Sequence, residues 1–191
     1  MIAIEDRRYA PSRWESMSPD DRYERFEVAS ADSSLTFFAT SSLFPVYGKA
    51  GDLNGYVEAV WRDGALAIDP KPKMYVEFKV ENLRTGNDLK DREMWKLIES
   101  KRFPKVAGEL REIGTGALPG RYAAAGQITL AGLARRYDGE LLPTRAGDVV
   151  RVAGDINVDV RDFGLRSMSL LVLSVEPLVR VRLRLVARKV Q

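Results

Sequence analysis

Hydrophobic and polar residues alternate with a period of two along most of this chain, beginning near Tyr23. Phe26 and Val28 alternate with Arg25 and Glu27, and after Ala31, Asp32 and Ser33 the set Leu35, Phe37 and Ala39 alternates with Thr36 and Thr40. Successive side chains of a strand point to opposite faces, so this pattern predicts a hairpin with one apolar face. A further strand is expected within residues 51–61, ended by the tight-turn pair Asp63-Gly64. Beyond Pro70 and Pro72, three more sets repeat the alternation: Val76, Phe78 and Val80; Tyr122, Ala124, Gly126, Ile128 and Leu130; and Val150 to Val160 on even numbers. The last strand is the clearest, with Val179, Val181, Leu183 and Leu185 opposed to Arg180, Arg182 and Arg184. One segment changes period. Leu89, Met94, Leu97 and Ile98 share a helical side, Asn87 or Asp88 can cap it, Asp91 sits in its first turn, and Pro104 stops it. About eight strands and one short helix predict an all-β barrel or sandwich, with the helix free to cap a barrel mouth. Residues 1–22 read as an N-terminal extension, in which Ser18, Pro19 and the acids Asp20 and Asp21 have the chemistry of a helix start. Residues 23–191 form the barrel domain.

Composition narrows the chemistry. The 191 residues include no cysteine and no histidine. Disulfides, thiolate chemistry and zinc–thiolate sites are thereby excluded, as are the usual general base near neutral pH and the commonest metal ligand. Thirty basic against twenty-seven acidic residues give a formal charge of +3, too balanced for a dedicated nucleic-acid binder. The first 21 residues contain no apolar leader, and the longest apolar run, at 170–175, falls far short of the roughly 20 residues a membrane span requires. A cytoplasmic protein without cofactor or metal is expected.

Several segments, taken in order, resemble the YceI-like family of lipid-binding barrels. Residues 33–39 look like its first strand motif; Val76-Glu77-Phe78 leads to Thr85-Gly86-Asn87, similar to the family's Thr-Gly-Asn turn; and Lys90-Asp91 stands where an Arg-Asp pair is common. Met94 opens a stretch ending in Arg102-Phe103-Pro104, residues 129–133 resemble the central hairpin, and Arg161-Asp162-Phe163-Gly164-Leu165 resembles the Asp-Phe-Gly element. The resemblance covers about residues 23–190. It implies a closed eight-stranded antiparallel β-barrel, lipocalin-like, with an elongated apolar cavity that holds a polyisoprenoid, a prenyl quinone or another amphiphilic lipid. The chain departs from the family at positions that often hold histidine, here Ser41, Glu93 and Ala131, and in lacking the usual secretory leader.

An eight-stranded barrel either fills with its own side chains or holds one ligand. Ala124, Gly126 and Gly154 are small residues in inward sets and leave space; large neighbours such as Trp61 and Trp95 are able to fill it. With the family resemblance, the reading is a non-catalytic carrier, lined by Phe37, Phe44, Phe78, Trp95, Leu97, Ile128, Ile156 and Leu183. Strands of ~10 residues span ~33 Å, room for several isoprene units end to end. The alternative is a filled barrel that contacts anionic lipid or nucleic acid through Arg180, Arg182 and Arg184, although no nucleic-acid partner is expected from the charge balance. Carboxylates around the helix, Asp88, Asp91, Glu93 and Glu99, suit a helix cap and dipole better than acid–base chemistry. A homodimer is left open, as is the role of Phe44-Pro45-Val46-Tyr47, either a cover at the mouth or a hydrophobic clamp.

Overall fold

The computed structural model describes residues 22–165, 169–170 and 173–190, with side chains for 22–165 and 174–190. The N-terminal extension, including its expected helix start, lies almost wholly outside the described residues. The strands are β1 (Glu24–Val28), β2 (Ser34–Ser41), β3 (Val46–Ala50), β4 (Asn54–Ala59), β5 (Trp61–Arg62), β6 (Ala65–Leu66), β7 (Lys73–Lys79), β8 (Leu83–Arg84), β9 (Lys105–Thr115), β10 (Tyr122–Leu130), β11 (Leu133–Ala146), β12 (Val149–Asp159), β13 (Ser169–Leu170) and β14 (Leu173–Lys189). One α-helix, α1 (Asp88–Leu97), lies between β8 and β9.

These segments make eight long strands, because three of them are broken in the middle. β14 pairs with β2 from Val175 to Arg184 and with β1 from Ala187 to Lys189, so β1 and β2 are two halves of one strand. Likewise β3 and β4 pair with β2 and β1, and β8 and β7 pair in turn with β3 and β4. The breaks fall side by side: a 3-10 turn at Ser30–Asp32, the link 51–53, and a 3-10 turn at Val80–Asn82. Ser33 Oγ bridges the first gap, accepting from Val186 N at 2.9 Å, and Gly51 N donates to Asn82 O across the other two. The remaining neighbours are β7–β9–β10–β11–β12–β14, all antiparallel. With β1 on β14 the sheet returns to its start and becomes a closed eight-stranded antiparallel barrel with one helix. Closure removes the sheet edges that would otherwise recruit other chains.

Turn chemistry sets the ends. Asp63 (φ 51°) and Gly64 (φ 78°) form the expected tight turn, although it joins the small β5–β6 hairpin outside the main ladder. Ala131 (φ 49°) and Gly132 (φ 75°) join β10 to β11. At Gly132 a Cβ would lie 2.3 Å from the Phe103 ring, so only glycine lets that ring pack over the turn.

The two halves of the lumen differ. Away from α1, Phe26, Val57, Ala59, Val150, Leu185 and Ala187 are buried and fill the barrel. A charged cluster covers that end: Glu24 accepts a two-pronged pair from Arg145 and a 2.7 Å bond from Lys189, while the guanidinium lies 5.5 Å from the Phe26 ring centre. The half beneath α1 is not filled.

Candidate functional site

That unfilled half is an apolar chamber of about 280 Å³. Its wall is the inward set of each strand: Val76 and Phe78 on β7, Val106 and Leu110 on β9, Ile128 and Leu130 on β10, Leu141 on β11, Ile156 and Val158 on β12, Val181 and Leu183 on β14, Leu35 and Phe37 on β2. Met94, Leu97 and Ile98 from α1 close over it, with Val160 and Leu165 beside them. Glycine shapes much of the wall. Gly108, Gly126, Gly139 and Gly154 line four consecutive strands, β9 to β12; at Gly139 and Gly154 a Cβ would come within 2.8 and 2.9 Å of the Ile156 and Leu141 side chains, so glycine there seats those wall residues. Along β9 the chamber runs from Val106 to Leu110, which is about 13 Å at strand rise. On β10 the lining extends further, from Ala124 to Leu130, about 20 Å, so the chamber occupies part of the barrel rather than the full strand length of ~33 Å.

Of the eight residues expected to line the lumen, Phe37, Phe78, Leu97, Ile128, Ile156 and Leu183 meet at the chamber wall. Phe44 and Trp95 do not. Phe44 sits half-exposed in the turn between β2 and β3, with Lys90 Nζ 4.7 Å from its ring centre. Trp95 donates its indole N–H to Leu83 O at 2.9 Å and carries Arg84 on its face, so its polar edge holds it behind the helix. Met94, one residue away, takes the inward position. The wall residues not singled out from the sequence include Gly108, Gly139 and Tyr137. Their strands carry no clean apolar alternation, and a glycine gives no hydrophobic signal.

Tyr137 supplies the main polar group near the wall, and it is already engaged. Its hydroxyl donates to Asp162 Oδ2 at 2.6 Å and accepts from Asp159 N at 3.2 Å, while its ring stacks on Phe163. Burial and the Asp162 carboxylate push the phenol up to about 12, so it stays neutral at any ordinary pH. The Asp-Phe-Gly element is thus a structural clasp: an acceptor for Tyr137, a buried aromatic beneath it, and Gly164 at φ 79° ending the 3-10 turn Val160–Phe163.

The helix is anchored equally firmly. Asn87 Oδ1 accepts from Leu89 N and Lys90 N, both at 3.1 Å, the N-cap expected from the sequence. Asp91 is 1% exposed and its Oδ1 accepts from both the backbone N and the hydroxyl of Thr85, each at 2.7 Å. Arg84 Nη1 stands 3.7 Å from the other oxygen. Asp91 therefore ties the Thr-Gly-Asn turn to α1 and is not available to a substrate. On the outer face, Arg182 and Arg184 share Asp155 at 3.0 and 3.6 Å, which neutralises part of the arginine stripe. Ser41, where the family often has histidine, donates to Phe44 O within the β2–β3 turn. Ala131 occupies the β10–β11 turn and Glu93 lies on α1, so all three positions belong to the helix end of the barrel.

The sequence profile of the YceI-like domain matches residues 26–187. The chain belongs to the YceI-like family. Among solved structures, this YceI-like chain is similar to BcnA of Burkholderia cenocepacia, at 15% identity and a TM-score of 0.71, covering 84% of this chain and 99% of that one. It is also similar to a polyisoprenoid-binding domain from Saccharophagus degradans implicated in plant cell wall breakdown (13% identity, TM-score 0.68, covering 86% and 98%). A YceI protein of Campylobacter jejuni matches at 14% identity with a TM-score of 0.63, covering 76% and 86%. At such identities the likeness concerns the fold. No curated protein matches the chain in sequence.

Proposed function

We propose that this YceI-like protein is a non-catalytic carrier that buries the end of an isoprenoid or similar apolar chain beneath α1. The observation that carries the reading is the chamber itself: about 280 Å³ enclosed almost entirely by carbon. An apolar cavity of roughly 150 Å³ stays dry and accepts benzene, so this one takes on the order of ten to twelve carbons. Each methylene transferred contributes about 0.8 kcal/mol of gross stabilisation, of which ordering and association remove a share. A longer tail would leave its remainder and its head group at the mouth. The solved Saccharophagus degradans domain, described as polyisoprenoid-binding, supports a prenyl tail as the occupant, with a prenyl quinone one such molecule. The cytoplasmic location expected from the sequence belongs to this proposal too.

Solvent extraction of freshly purified protein, followed by mass spectrometry, tests it. A prenyl or comparable long-chain lipid should be recovered. Ala124→Leu, which fills the chamber, should lower that yield and the uptake of added prenyl quinone while the fold persists. An empty extract together with no uptake by the wild type would sink the proposal.

A further inference from the structure

At the helix end of the barrel, beside the chamber roofed by α1, several large apolar side chains are left in solvent. β2 rises from Phe37 in the chamber wall to the turn 42–45, where Leu43 is 67% and Phe44 50% exposed. Tyr47, just beyond on β3, is 63% exposed, and Leu89 at the start of α1 is 55% exposed. Leu43, Phe44 and Tyr47 fall within five residues of the chain. Phe44 lies 4.7 Å from the Nζ of Lys90, the residue after Leu89. Tyr47 packs on Phe38 at 5.0 Å between ring centres, and Phe38 is the cross-strand partner of Arg180. A patch of this kind on a single chain calls for an occupant.

Charge identifies the occupant. Among the described residues, cations such as Arg25, Arg136, Arg145, Arg161 and Lys105 are held by carboxylates. The cations bordering the patch have none: Lys90 meets only the Phe44 ring, and no carboxylate pairs with Lys49 or Arg180 among the described residues. Of the acids at this end, Asp88 is 4.0 Å from Arg84, and Glu93 on α1 and Glu176, next to the Ser41 partner Val175, also stand there. Protruding leucine and aromatic tips bordered by uncommitted cations match a surface with an oily interior and an anionic boundary. We propose that the rim formed by the 42–45 turn, Tyr47 and the start of α1 docks on an anionic lipid bilayer, bringing the helix end of the chamber to the acyl region. A flat apolar face would suit a second copy of the chain better; projecting tips bordered by unpaired positive charge suit lipid head groups. The bilayer would then be the place from which a tail enters the chamber.

Vesicle sedimentation of the full chain tests the proposal, and stripping bound lipid first separates it from the nature of the chamber's occupant. The protein should pellet with phosphatidylcholine vesicles that contain phosphatidylglycerol, less with pure phosphatidylcholine, and less again as salt rises. The double variant Leu43→Ser/Phe44→Ser should abolish most of the binding. Lys90→Glu, a reversal of one interfacial charge, should weaken it by roughly tenfold or more. Leu118→Ser, at the other end of the barrel, should leave it unchanged, and circular dichroism should report the same fold for every variant. No binding to anionic vesicles, or binding indifferent to the rim variants, would overturn the proposal. So would a dimer in sedimentation velocity that Phe44→Ser dissolves, because the patch would then belong to a second copy.

Discussion

Among the described residues, Asp91 is the only buried charged side chain, and its worth is set by what it would leave behind. Two motifs that look separate in the sequence, Thr85-Gly86-Asn87 and Lys90-Asp91, are one object in space because both donors of Thr85 end on Asp91 Oδ1. Replacing Asp91 by Ala leaves a backbone N–H and a hydroxyl without acceptor, and hydrogen bonds to charged groups contribute about 1.5–3 kcal/mol. Asp91→Ala should therefore lower the unfolding free energy by about 2–3 kcal/mol, read from urea transitions. Asp91→Asn retains an acceptor oxygen and should lose less than half of that. A loss for the alanine variant within about 0.5 kcal/mol, the range of an ordinary surface substitution, would contradict the anchoring role. From sequence this carboxylate reads as a first-turn acid that favours the cap and dipole, with a cation ligand or a catalytic acid as lesser readings. Only the position of Thr85 separates those readings, and no periodicity encodes it.

At the scale of elements, the legible strands are those whose inward set is uniformly apolar, such as β14 and β12. β9 and β11 are hidden for different reasons. In β9 the pairing with β10 skips Arg111, so Leu110 is in phase with Val106 and the strand resumes at Glu112 with its period shifted. A bulge of this kind erases a period-two pattern while leaving the strand intact. In β11 the inward positions include Tyr137 and Gly139 at the chamber and Arg145 at the charged end, so the longest strand but one carries almost no hydrophobic alternation. The three mid-strand breaks are also unreadable, since Val80 continues the apolar alternation yet lies in a 3-10 turn. The helix was legible because its cap is chemical: Asn87, an acid in the first turn and a proline beyond the end. That cap carries a prediction for the chamber. Asn87→Ala removes the acceptor of two N–H groups and should cost about 1 kcal/mol. Because α1 supplies Met94, Leu97 and Ile98 to the chamber roof, fraying its first turn should speed release of bound lipid more than it lowers global stability. A fluorescent prenyl probe, chased with unlabelled lipid, would measure the off-rate. An unchanged off-rate with a reduced urea midpoint would show that α1 is structural cover only.

For the whole molecule, the decisive features are closure and the division of the lumen into a filled and an open half, and the charged cluster at the filled end ties distant parts of the ring together. Glu24 on β1 binds Arg145 on β11, two strands that are not neighbours, as well as Lys189 on β14. The hydrogen bond from Arg145 is the largest influence on the Glu24 carboxyl; burial opposes it and Lys189 reinforces it, and the net result holds the group below its ordinary value of 4.5. A carboxyl harder to protonate in the folded state than in the unfolded one stabilises the fold fully above the unfolded value. That contribution is lost as pH falls below about 4.5 and through the lower folded value. Glu58, Glu77, Glu112 and Asp159 are lowered in the same direction by their own cationic partners, so acid weakens the barrel at many points. Comparison with Glu24→Gln isolates one of them. The variant should unfold at lower urea than the wild type at neutral pH, and the two midpoints should converge as the pH drops below 4.5 toward the folded value. Convergence on the alkaline side, or a gap that does not change with pH, would mean that the Glu24 charge does not help to hold the ring closed.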